Sequence, residues 1–185
     1  MFEHDRKRLF RPASGGLDVL HPNGATYHLH GLGPRDAAAY ADHLCRLSPE
    51  DRRMRFHGAM SDAGIRAYCD GLDWSRRLAI GISAEGVLRG VGELARVAPV
   101  GPAELGLSVE SAYRHAALGR ILVAALLTAA RLDAVDTVQL LMLKDNGAMQ
   151  GIARDIGARL VSGAAATEGE VRVAPDRAKR DPAPR

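Results

Sequence analysis

The sequence predicts a mixed α/β domain with a mostly antiparallel central sheet of about six to seven strands, flanked by about four helices. Three observations carry this. Helix starts crowd into residues 34–72, and three short β-type runs divided by turn signals follow from Leu78. A helix–strand–helix alternation then closes on two further strands. At 185 residues the chain fits one domain with a sizeable core, and its 46% hydrophobic and 25% charged content is that of a globular protein.

Residues 1–25 mix charge, Pro and Gly and read as a partly ordered N-terminal arm, ahead of a domain over 26–174. "ATYHLHGLG" alternates Tyr27, Leu29 and Gly31 against His28, His30 and Leu32, which predicts the first strand. "PRDAAAYADHLCRLS" sets Ala37, Tyr40, Leu44 and Leu47 on one helical face. Ser48, Pro49, Glu50 and Asp51 then spell a helix start, with an N-cap hydroxyl, Pro at the first helical position and acids in the first turn. Ser61 and Asp62 open another, through Ile65, Tyr68, Cys69 and Leu72.

"LAIGIS", "VLRGVGELARV" and "AELGLSV" read as strands separated by turns near 84–86 and 99–102. The helix predicted over 119–134 confines Arg120, Thr128 and Arg131 to a narrow stripe, so most of its circumference must be covered. "TVQLLMLK" is a buried-type strand, and a helix runs from about Asn146 to Ile156 with Gly157 to end it. "ARLVSGA" and "EGEVRVA" are the closing strands. The order reads β-α-α-β-β-β-α-β-α-β-β. A tail over 175–185, polar and Pro-containing, has the composition of a disordered segment.

Composition also excludes. The longest apolar run, 121–127, is far short of the ~18 residues a membrane span requires, and the N-terminus has no apolar signal core. Cys45 and Cys69 lack metal-ligand spacing, so a reduced, cytoplasmic protein is expected. His28 and His30 share a strand face, but no Cys, Asp or Glu completes a metal set; a polar strand face is the better reading. The net charge of +3 resides in the ends, since residues 1–11 and 175–185 each carry four bases against two acids and the body stands at −1. With aromatics at 4%, a nucleic-acid surface is not expected, though charged tails keep open a third reading, a tail-mediated binder of acidic partners.

One stretch carries chemistry. "SVESAYRHAALGRILVAALL" leads from a strand end to the most apolar helix through a turn with Arg114, His115, Gly119 and Arg120 and no acid among them. Unsatisfied N–H groups at a helix start, at the positive end of its dipole, favour an anion such as phosphate. Gly119 lets the backbone approach closely.

"AELGLSVESAYRHAALGRIL" resembles the acetyl-CoA-binding segment of the GNAT superfamily, the Gcn5-related N-acetyltransferases. There a strand leads into Arg/Gln-x-x-Gly-x-Gly/Ala, matched here by Arg114, Ala117 and Gly119. "LLMLKDNGAMQGIARDIGARL" resembles the family's next strand and helix, with Asn146 and Gly157 in the expected places. "LSPEDRRMRF" resembles a helix opening in a bacterial subset, some of them protein-lysine acetyltransferases. By element order the likeness covers about four-fifths of the chain. It implies acetyl-CoA as co-substrate, no metal, and cofactor contacts at Val109, Arg114, His115, Ala116, Ala117, Leu118, Gly119, Arg120 and Asn146.

Three positions depart from the pattern. Ala117 stands for the usual first Gly, tolerable at negative φ and crowding at positive φ. Ala158 stands for Phe. Ala153 falls where the family often has a general-acid Tyr.

Acetyl transfer to an amine requires a proton acceptor, because an alkylamine is about 0.04% neutral at pH 7. Glu104, Glu93 and Glu110 are the candidates. Glu104 leads, since its same-face neighbours Gly106 and Ser108 are small and leave room for a ligand, and since it matches a glutamate that resembling lysine acetyltransferases use as base. Glu93 reads equally as an exposed cross-strand partner, and Glu110 as a strand end. Arg52, Arg53 and Arg55 read as a solvated helix face or as neighbours of an acceptor site, while Tyr68 and Trp74 read as core. The expected function is an N-acetyltransferase acting on a small amine or protein lysine, with room for a homodimer. The alternative is a non-catalytic acyl-CoA-binding module.

Overall fold

The structure, a computed structural model, describes residues 16–21, 24–96, 98, 101–133 and 135–173. Of the arm expected over 1–25, residues 1–15, 22 and 23 lie outside the described residues, as does the tail over 175–185. Among the described residues eight strands form one sheet: β1 (Leu17–Leu20), β2 (Thr26–Leu32), β3 (Arg77–Ala84), β4 (Val87–Arg96), β5 (Ala103–Val109), β6 (Thr137–Leu143), β7 (Arg159–Ser162) and β8 (Ala166–Arg172). Their spatial order is β1-β2-β3-β4-β5-β6-β8-β7. Every pairing is antiparallel except that of β5 with β6.

Five α-helices among the described residues accompany the sheet: α1 (Ala37–Cys45), α2 (Pro49–Phe56), α3 (Asp62–Asp70), α4 (Leu118–Leu132) and α5 (Gly147–Asp155). Two counts differ from expectation. The segment 34–72 holds three helices, not the two of the expected order, because Ser48 and Ser61 each cap a separate start, accepting from the N–H of Asp51 and Gly64. The extra strand is β1, whose "LDVL" pairs along β2 and is mostly exposed, and four residues are too short a run to announce a strand.

The two faces of the sheet hold separate cores. Beneath β3, β4 and β5 lies α4, whose Leu118, Leu122, Val123 and Leu126 are fully buried while Arg120, Ala124, Thr128 and Arg131 form the exposed stripe. Each such leucine contributes roughly 1.5–3 kcal/mol. The close approach depends on Gly92: a β-carbon there would stand 2.7 Å from Leu126 Cδ1. On the other face α1 and α3 bury Tyr40, Leu44, Ile65 and Cys69 against Ala79, Leu88 and Val91. α5 ends as expected: Gly157 takes φ +73°, and the N–H groups of Gly157 and Ala158 return to the carbonyls of Arg154 and Ala153.

Candidate active site

A break in the sheet positions the site. β5 and β6 run parallel and pair only at Ala103 with Val138 and Glu104 with Gln139. From Leu105 onward β5 has no strand partner on that side among the described residues, and a cleft of about 820 Å³ opens in the splay. It runs from α4 and α5 at one end to α2, α3 and β4 at the other.

At the first end α4 begins without a side-chain cap. Ala117 precedes it at φ +54°, and Ala117, Gly119 and Arg120 line the cleft. The N–H groups at this start are the natural seat for an anion. Positive φ in a residue with a β-carbon is strained, by ~1–2 kcal/mol relative to glycine. Of the two cases set out for Ala117, positive φ is the one that occurs. Leu118 is fully buried in the core beneath the sheet and does not line the cleft. Val109 closes β5 opposite Gly90. His115 and Ala116 lie in the 3-10 turn Ser111–Ala116, with side chains outside the described residues.

The turn is free of acids in sequence but not in space. Arg114 bonds the Asp51 carboxylate from α2, and Arg120 Nε donates to Asp155 at 2.8 Å. Asn146 lines the cleft, but its Oδ1 caps α5 by accepting from Met149 N–H at 3.1 Å. Across the mouth α2 reaches over to the β6 side: Arg53 pairs with Asp145 at 2.5 Å, and His57 Nε2 donates to the Leu141 carbonyl at 3.1 Å.

The three candidate carboxylates occupy different environments. Glu104 is exposed at the cleft rim, on the face it shares with Gly106 and Ser108. Glu93 is not an exposed cross-strand partner; it is 4% exposed. Its Oε1 accepts from Arg55 and from Tyr68 OH at 3.0 Å, its Oε2 from Arg77 Nη1 at 2.6 Å and Tyr40 OH at 3.0 Å. Burial works to raise its pKa, and the two guanidinia outweigh burial and hold it below the ordinary carboxylate value. A carboxylate with both oxygens so engaged is a poor proton acceptor. Glu110 is likewise engaged, by Arg46 at 2.8 Å and Arg89 at 3.0 Å.

Of the two sequence readings of Arg52, Arg53 and Arg55, the solvated face fails for Arg52 and Arg55, and Arg55 lines the cleft. "DRRMRF" looks solvated, yet Arg52 and Arg55 are largely buried, and Arg52 donates to the Leu47 and Cys45 carbonyls. Tyr68 is a cleft wall rather than plain core. Trp74, by contrast, packs against the second core as expected. His28 and His30 stack on one strand face and His28 bonds Asp18, consistent with a polar face. Among the described residues no group of three His, Cys, Asp or Glu is placed to hold a metal, and no helix is long and apolar enough to cross a membrane.

Also unforeseen was His43, fully buried on α1, with Nε2 2.9 Å from Ser108 Oγ and Nδ1 3.4 Å from Glu110 Oε1. Burial lowers its pKa to about 4, against the opposing pull of Glu110. The unfolded chain protonates His near 6.5, the folded one near 4, so stability is full above pH 6.5 and falls by about 1.4 kcal/mol per unit as pH drops through that window. His43→Gln should flatten the wild-type decline in urea midpoint between pH 6.5 and 4; an unchanged slope would assign the decline to other groups.

No family model and no curated protein matches the chain. Solved structures do. The GNAT domain of S. lividans PAT superposes with a TM-score of 0.75 at 18% identity, covering 88% of this chain and 99% of that one. The fold is the GNAT fold. Others with the GNAT fold include the ribosomal-protein-S18-alanine N-acetyltransferase from Escherichia coli, at TM-score 0.63 and 16% identity over 83% of this chain and 97% of that one. The yncA protein of Salmonella typhimurium, solved with its cofactor acetyl-CoA, gives 0.61 and 15% over 82% and 98%. A cAMP-binding acyltransferase from Mycobacterium smegmatis gives 0.61 at 22%, and there this chain spans 50% of the length of that protein.

Proposed function

We propose that the protein is an N-acetyltransferase that moves the acetyl group of acetyl-CoA to an amine. The observation that carries this is the cleft opened by the parting of β5 and β6, with the uncapped start of α4 at one end. The pyrophosphate is assigned to that start, where Gly119 supplies a main-chain N–H group and Arg114 exchanges Asp51 for phosphate, while the Arg120 N–H is already given to the Ala117 carbonyl. The main chain of β5 around Val109 supplies a donor to the oxygen of the thioester carbonyl as charge develops there. Glu104 takes the ammonium proton, the freed amine attacks the carbonyl carbon, and the C–S bond breaks to release the thiolate of coenzyme A, which takes up the second proton shed by the nitrogen as the amide forms. With a thiol pKa near 8.5, that leaving group departs without a strong acid. This matters because Ala153 is buried and offers no hydroxyl.

Calorimetric titration with acetyl-CoA tests the reading; absence of heat and of thermal shift at millimolar ligand overturns it. Gly119→Asp should weaken binding at least tenfold by setting a carboxylate against phosphate. A β-carbon at Gly119 would stand 3.2 Å from Ile152 Cδ1 and 3.4 Å from Leu107 Cδ2, so Gly119→Ala is the steric control and should lose much less. Equal affinity in Gly119→Asp and wild type would make the turn a mere connector.

The buried Ala153 also favours a second reading, a module that binds acyl-CoA without turnover. Release of free thiol on adding amines separates the two.

A further inference from the structure

The acceptor end of the cleft holds more positive charge than its one buried acid neutralises. Arg55 and Arg77, with side chains 12% and 15% exposed, both line it beside Glu93, 5% exposed. The sum is +1. Burial works against the charge on both guanidinia, but Tyr40 and Glu93 outweigh it at Arg55, and Glu93 and Tyr68 at Arg77, so both stay protonated.

Hydrogen bonding is equally lopsided. Glu93 has both oxygens occupied, whereas among the described residues Arg55 bonds only through Nη2, to Glu93 and the hydroxyls of Tyr40 and Tyr68. Among the same residues Arg77 bonds only through Nη1, to Glu93 and Tyr68, and its buried Nε meets no partner. Each guanidinium carries five N–H donors. The cluster lacks acceptors and lacks negative charge.

The charge of opposite sign lies one step along the same strand face. Gly106 sits beneath the Arg55 guanidinium and opposite Glu93, and Glu104, two residues away, stands at the cleft rim. Two residues along a strand span about 6.6 Å. A group attracted by Glu104 is a cation, and one attracted by Arg55 and Arg77 is an anion.

We propose that the acceptor is a small amine that also carries a carboxylate, its amine at Glu104 and its carboxylate on the Arg55–Arg77 pair. This rests on the transferase reading for its chemistry but not for its binding. The spacing suits an amine and carboxylate separated by several bonds, as in ω-amino acids or the side-chain amine of free lysine. A neutral or purely cationic amine leaves the surplus charge unanswered and faces its repulsion. The depth of the cluster, with Tyr40 and Glu93 buried at its floor, favours a free small molecule.

The test uses matched pairs that differ only in the carboxyl group: γ-aminobutyrate against propylamine, 5-aminopentanoate against butylamine, and lysine against cadaverine. Two quantities are read, thiol release from acetyl-CoA and calorimetric binding of each amine, with coenzyme A present and again without it. At least one carboxylated amine should exceed its partner ten- to hundredfold in kcat/KM and in affinity, the gain expected of hydrogen bonds between charged groups. Arg77→Gln removes the surplus charge yet leaves Glu93 paired with Arg55, and should bring the two series within about threefold of each other; its thermal melt verifies folding. Equal or reversed preference across all pairs in the wild type, or no binding of any of them, overturns the proposal. Binding preference for the carboxylated series without thiol release would sustain the anion site and overturn the transferase reading instead.

Discussion

Glu104→Gln should lower the rate of acetyl transfer at pH 7 by roughly 10²–10⁴ while leaving acetyl-CoA affinity within about twofold. The amide keeps the size and polarity of the side chain and removes only its capacity to take a proton. Because Glu104 lies at the rim and away from the α4 start, cofactor binding has no reason to change. The loss should be greatest at neutral pH, where almost all acceptor is ammonium, and should shrink as pH approaches the pKa of the acceptor itself, since solvent then performs the deprotonation. Steady-state rates over pH 6.5–10, at saturating acetyl-CoA, check this. Wild-type turnover in the variant at pH 7, with chemistry rate-limiting, would remove Glu104 from the mechanism. Glu93 would be a poor replacement, given two guanidinia and two hydroxyls on its oxygens.

Glu93→Ala should be the most destabilising single change in the cleft. It strips the counter-charge from two buried guanidinia and the acceptor from two tyrosine hydroxyls, a loss on the order of 3–5 kcal/mol. For a chain of this length that corresponds to a fall in Tm of about 10 °C. The wild-type contribution has a defined pH window. The folded pKa of Glu93 lies below the unfolded one, so the stabilisation is present above the ordinary value near 4.5 and is lost as pH falls through the lower folded value. Melting curves from pH 7 to 3 should therefore converge for wild type and variant only at the acid end. A variant that melts within 2 °C of wild type at pH 7 would show the network to be dispensable.

The elements that build the cleft were legible because each carries its own period. "AELGLSV" alternates, and the helix that became α4 sets its polar residues at 120, 128 and 131, on one narrow stripe, so strand, turn and helix follow from local pattern. Glu104, Gly106 and Ser108 share a face by the same arithmetic. What stayed hidden depends on partners far along the chain. Nothing near Arg55 reveals that Glu93 lies 38 residues on, and a segment with four charges in six residues imitates a surface. The turn at Arg114 looked free of acids for the same reason, since Asp51 is 63 residues away. β1 stayed hidden for another reason: a four-residue edge strand that turns only Val19 to the core is too short to show a pattern.

The contact between Arg55 and Gly106 also bears on how this chain can change over generations. A β-carbon at 106 would stand 2.8 Å from Arg55 Nη2 and 3.1 Å from Glu93 Cγ. The guanidinium cannot swing away cheaply, because Glu93 and two tyrosines hold it. Gaining a side chain at 106 first meets a clash; losing Arg55 first leaves Glu93 with one guanidinium fewer. Either single step passes through a less fit intermediate, so the helix position and the strand position drift as one heritable unit, and descendants of this chain are expected to keep both or to have exchanged both.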